Sequence, residues 1–112
     1  MTTHSHEAWK AAAAELRPRG SMYIDGRYVD AASGETFSSV NPATGEVITE
    51  VASGGAEDVD RAVKAARTAF DNGSWSMAAP TERKRCLLRL SELIMENADE
   101  LALLDSMDMG KL

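Results

Sequence analysis

VNPATGEVITEVASGGAEDVDRAVKAARTAF, Val40 to Phe70, changes its hydrophobic period midway. Pro42 confines Asn41 to extended geometry, and Asn41-Pro42 followed by Thr44-Gly45 reads as a turn between two strands. Thr36 to Val40 leads into that turn. Glu46 to Val51 leads out of it, with Val47, Thr49 and Val51 on one face and Ile48 and Glu50 on the other. Val, Ile and Thr suit a pleated surface. Ser53-Gly54-Gly55 ends the extended region, and from Ala56 the period becomes 3.6. Val59, Ala62, Val63, Ala66 and Phe70 then fall on one helical stripe. Glu57, Asp58 and Asp60 occupy the first turn, where the helix dipole favours negative charge, and Asp71-Asn72-Gly73 stops the helix.

Upstream, MYIDGRYVD (22–30) predicts a β-hairpin, because Asp25-Gly26 suits a turn with positive φ at both positions. Residues 5–17 predict a short helix with Ser5 as its N-cap. Its apolar stripe is Trp9, Ala12, Ala13 and Leu16, and Arg17-Pro18-Arg19-Gly20 ends it. A helix that short is marginal alone and is expected to dock on something. Downstream, Pro80 opens a helix to about Glu96, with Leu87, Leu90 and Ile94 as its stripe and Cys86 and Leu93 widening it. A further helix runs from Ala98 to about Met107, bearing Leu101, Leu103 and Leu104, and Gly110 closes it. The helices are expected either to pair with each other or to cover a sheet that lies outside this chain.

With 112 residues the chain is one domain or part of one. It has 18 acidic and 12 basic residues, a net charge of -6, which argues against nucleic acid as its main ligand. The basic cluster Arg83-Lys84-Arg85 reads as a solvated helix face. One cysteine excludes an internal disulfide framework and suits a reducing, cytoplasmic setting. No apolar run approaches the ~18 residues of a membrane span, so no membrane partner is expected.

The residues that invite chemistry each have a plainer reading. Cys86 lies mid-helix on an apolar margin and reads as a small structural hydrophobe. His4 and His6 provide two ligands, too few for a closed zinc site. Ser53-Gly54-Gly55 precedes a helix and could cradle an anion, but it lacks dinucleotide and P-loop spacing, so a loop and helix entry is expected. The acid pairs Glu57-Asp58 and Asp99-Glu100 fit helix polarity better than acid–base work.

The ordered series YIDGRYV (23–29), TFSSVNPATGEVITEVA (36–52), EDVDRAVKAARTAF (57–70), Trp75, Pro80, the R…LLRLSELI segment (85–94), ELALLD (100–105) and MDMGK (107–111) resembles the N-terminal region of the aldehyde dehydrogenase superfamily. The resemblance runs almost continuously from 22 to 111. The Trp-bearing, Ala-rich helix before it resembles the branch that oxidises γ-glutamyl-γ-aminobutyraldehyde and related aminoaldehydes. Asp105 stands where that family usually has glutamate, and Leu112 where it usually has proline.

The resemblance implies an α/β fold of which this chain is the N-terminal part: β-hairpins followed by about three helices, with an extra short N-terminal helix. Residues 1–21 would be that helix and a linker, and 22–112 the first part of the cofactor-binding domain. It implies NAD- or NADP-dependent oxidation of a small aldehyde to an acid. A cysteine thiolate would attack the carbonyl and a glutamate would activate water, both supplied by later sequence. No catalytic or cofactor-binding residue is therefore assigned here, and the isolated chain is expected to be inactive and without cofactor. Its expected partners are the remainder of the enzyme or other subunits of a homo-oligomer. The resemblance also implies a structural K⁺ or Na⁺ site in the intact enzyme, drawing on backbone carbonyls of Ser39 and Val40 and on Asp108. Hard cations prefer such oxygen ligands. The plainer role for Asp108 is to cap or hydrogen-bond the helix end. The reading from another class is a non-catalytic helical interaction module that associates with a partner chain.

Overall fold

The computed structural model describes residues 5–110, in the order helix, two hairpins, three helices. Helix α1 spans His6–Glu15, strands β1 and β2 span Met22–Ile24 and Arg27–Val29, and strands β3 and β4 span Thr36–Val40 and Val47–Ala52. Helices α2, α3 and α4 follow at Ala56–Asp71, Pro80–Glu96 and Ala98–Met109. Each hairpin is an antiparallel pair of its own. This is the expected partial α/β arrangement, with the extra helix in front.

Local chemistry explains the ends. Ser5 Oγ accepts from the Ala8 N–H at 3.2 Å, which caps α1. Asp25 and Gly26 have φ of 52° and 74°, the two positive values expected of the hairpin turn. Beside that turn Tyr23 faces Tyr28 edge-on, with ring centroids 5.0 Å apart. In the second hairpin the Asn41 side chain accepts from the Ala43 N–H at 2.9 Å, and the Asn41 N–H donates to Glu46 O at 2.9 Å. Pro80 sits in the first turn of α3. Asn97 alone separates α3 from α4, and its Nδ2 donates to Leu93 O at 2.8 Å.

The linker behaves differently from its sequence reading. Gly20, expected only to help end the first helix, meets a neighbour: a Cβ there would lie 1.8 Å from the Glu50 carbonyl oxygen. The Ala52 N–H donates to Gly20 O at 2.8 Å, and Thr49 Oγ1 donates to Pro18 O at 3.1 Å. Any side chain at position 20 would push the linker off β4.

Burial is sparse. Among the described residues only Ala31, 6% exposed, and Asp58, 2% exposed, are buried. The α2 stripe points outward, with Val59, Val63 and Phe70 at 58%, 60% and 62% exposure. Helix α2 packs instead by the face of Asp58 and Ala65, with Ala62 at the margin of the stripe, towards the first hairpin. The α3 stripe, Leu87, Leu90 and Ile94, is likewise exposed. The chain exposes 8778 Å², against about 6,000 Å² for a monomeric protein of its mass. Its radius of gyration is 17.7 Å, against about 13 Å for a compact domain of this length. The first of the two alternatives does not hold for α2 and α3: their apolar stripes do not cover each other.

Candidate functional site

The resemblance-implied cation ligands come from two distant parts of the sequence, and the fold brings them to one junction. Ser39 lies near the end of β3 and Asp108 in the last turn of α4. Ser39 Oγ donates to Asp108 Oδ1 at 2.7 Å. Val40 is next to Ser39, where the ladder is irregular: Ser39 pairs with Thr49 but Val40 pairs with Val47, leaving an extra residue on β4. Such a bulge locally disrupts the hydrogen-bond ladder and bends the strand. The helix end is equally close. Gly110, at φ 67°, terminates α4 in the left-handed conformation, and a Cβ there would stand 2.9 Å from Pro42 Cγ.

Charge gives this junction its character. A helix C-terminus carries partial negative charge and normally attracts Lys, Arg or His. The last turn of α4 holds Asp108 and no basic residue. A carboxylate and a hydroxyl therefore meet where the backbone is already electron-rich, beside the strand end whose carbonyls the resemblance implies as ligands. That donor set fits a weakly held monovalent cation. The Ser39–Asp108 hydrogen bond ties α4 to β3 without any ion.

The other sequence candidates do not converge. Cys86 sits in the middle of α3 and is exposed, not set in an apolar interior. Its structural role as a buried hydrophobe is not realised within this chain, because neighbouring Leu87 and Leu90 face outward too. His6 opens α1 and is exposed; His4 lies outside the described residues. Among the described residues no group of three or more His, Cys, Asp or Glu is placed to hold a metal ion. At the α2 N-terminus the Gly55 N–H already serves the chain's own carboxylate, donating to Asp58 Oδ2 at 3.0 Å.

Asp58 is the residue that sequence reasoning undervalued. Its Oδ1 also accepts from the Ala32 N–H at 3.0 Å and from the Arg61 guanidinium. The Gly55 N–H is the main cause that holds its carboxyl below the ordinary value; burial opposes this, and Ala32 and Arg61 reinforce it. Three residues after a helix-entry residue is half of the capping-box spacing. Glycine at 55 hides the signal, since it has no side chain for the reciprocal half. In the basic cluster, Arg85 pairs with Glu82 at 2.8 Å as a solvated face should, whereas Arg83 Nη1 donates to Ser76 O at 3.4 Å and anchors the loop before α3.

Comparison with known proteins decides the family. The Aldehyde dehydrogenase family profile matches residues 28–112. The chain belongs to the aldehyde dehydrogenase family. It is 50% identical over 107 residues to an aminoacetaldehyde dehydrogenase of Pseudomonas aeruginosa, covering 96% of this chain and 22% of that protein. It superposes on the indole-3-acetaldehyde dehydrogenase of P. syringae, solved with NAD⁺ and IAA, with a TM-score of 0.94 and 45% identity, covering 96% of this chain and 22% of that one. For a γ-glutamyl-γ-aminobutyraldehyde dehydrogenase from Burkholderia cenocepacia the TM-score is 0.87 and the identity 45%, over 88% of this chain and 20% of that one. The aldehyde dehydrogenase segment thus spans about a fifth of the length of the relatives it matches. Among its described residues no helix is long and apolar enough to cross a membrane.

Proposed function

We propose that this segment is an architectural part of an enzyme that oxidises a small aldehyde, of aminoaldehyde type, to its carboxylic acid with NAD⁺ or NADP⁺ in a cytoplasmic setting. One observation carries the reading: the outward apolar faces of α2 and α3 lie on a chain that matches a fifth of each aldehyde dehydrogenase relative. The rest of such an enzyme would cover those faces and supply the thiolate, the general base and the cofactor site. Relatives that act on aminoacetaldehyde and γ-glutamyl-γ-aminobutyraldehyde support the aminoaldehyde class, and a relative solved with NAD⁺ supports the cofactor. Ser39, Val40 and Asp108 would hold K⁺ or Na⁺ between β3 and α4, where the cation would neutralise a carboxylate at a helix C-terminus.

The test uses the polypeptide as its gene encodes it. Reduced cofactor is followed by absorbance with an aminoaldehyde and each dinucleotide. Aldehyde-dependent reduction is expected from that polypeptide and none from residues 1–112 alone. Turnover by the isolated 112 residues would refute the architectural role. Absence of turnover with either dinucleotide and any aldehyde would favour the interaction-module reading, in which the same faces bind a separate partner chain. For the cation, K⁺ and Na⁺ should raise the melting temperature of the wild type more than that of Asp108→Asn. An equal response in both would remove Asp108 from the ligand set.

A further inference from the structure

Helix α4 is held at both ends by segments far from it in the sequence. At its C-terminal end Asp108 meets Ser39 of β3. Near its N-terminal end it meets α1, and Trp9, Leu16 and Leu103 help to line the groove between the two helices. Beyond α1 the chain is fastened at every residue from 17 to 20. The Arg17 guanidinium donates to Ala14 O at 2.8 Å and Leu16 O at 2.7 Å, closing the end of α1. Pro18 O and Gly20 O accept from β4, and the Arg19 guanidinium lies 4.0 Å from the Tyr28 ring centroid. The contacts therefore form a closed ring: α1 to α4, α4 to β3, β3 to β4, and β4 back through the linker to α1.

From this ring we infer that α1 and its linker act as a strap that fixes α4 in register with the β3–β4 hairpin. Trp9 and Gly20 are positioning residues for the Ser39–Asp108 junction, although neither touches it. The physical basis is that leucines at 101, 103 and 104 spread around α4, and a helix apolar on several sides needs partners on several sides. Helix α3 touches the side of Leu101, α1 the side of Leu103, and β3 meets the end. The strap acts without any bound cation, so it stands or falls separately from the aldehyde and cation readings above.

Amide hydrogen exchange on the gene-encoded polypeptide, without added K⁺ or Na⁺, tests it. Trp9→Ala removes one groove wall without touching the backbone. Gly20→Ala places a Cβ against the Glu50 carbonyl and lifts the linker. Both variants are expected to speed exchange about 5-fold or more at 98–109 and 36–40, leaving 56–71 unchanged, as a local opening would. Faster exchange confined to residues 5–21 in both variants would overturn the strap. Should Gly20→Ala loosen every element, Trp9→Ala decides: protection of α4 equal to wild type overturns the inference, and selective loss sustains it.

Discussion

Asp58 collects three separate donors into one carboxylate, and each donor comes from a different structural need. Gly55 offers an orphan N–H at the entry to α2, Ala32 an N–H from the loop after the first hairpin, and Arg61 a charge from the next helical turn. With its folded-state pKa lowered from the ordinary 3.8, Asp58 contributes stability that is fully present above the unfolded value and is lost as pH falls through the lowered one. Melting curves of wild type and Asp58→Asn between pH 2 and 7 should therefore lie furthest apart at neutral pH and converge below about 3.8. A constant separation across that range would show that the charge plays no part. Sequence alone revealed an acid suited to a helix N-terminus. It did not reveal the Ala32 contact, because a bond across 26 residues leaves no local periodicity. Gly20 was opaque for the same reason: a glycine required by a neighbour's carbonyl looks like any turn glycine until the neighbour is in place.

At the scale of elements, local chemistry was highly readable. The Asp25-Gly26 turn, the Ser5 cap, Pro80 at the start of α3 and Gly110 at the end of α4 follow from constraints that act within four or five residues. The stripes on α2 and α3 were also visible, but their direction was not. Periodicity shows that a face is apolar; it carries no information about what covers it. Gly110 tests how tightly the end of α4 is set. Gly110→Ala places a Cβ on left-handed backbone, costing about 1–2 kcal/mol, and also pushes against Pro42. Its melting temperature should drop accordingly, with Asp108 protected less from exchange than residues of α2. A Pro42→Ala change in the same background should recover part of the loss by relieving the contact.

For the whole molecule the deciding quantity is surface. An excess of roughly 2,700 Å² over a compact monomer of this mass is the size of an extensive permanent interface, and the apolar residues of the α2 and α3 stripes are among those exposed. The junction of Ser39 with Asp108 was legible only through family resemblance, since one serine and one aspartate 69 positions apart make no motif. The outward stripe supplies a prediction whose sign depends on context. Val63 is 60% exposed in this chain, so Val63→Lys should cost the isolated 112 residues little and should reduce their concentration-dependent association in sedimentation experiments. In the gene-encoded polypeptide the same lysine would face apolar protein, where an unpaired charge costs on the order of 3 kcal/mol, so the melting temperature and soluble yield should both fall. Lys64→Val, on the neighbouring face, is the control for composition. If Val63→Lys were neutral in the gene-encoded polypeptide, the α2 stripe would be solvent-facing there as well, and the architectural reading of this segment would lose its main support.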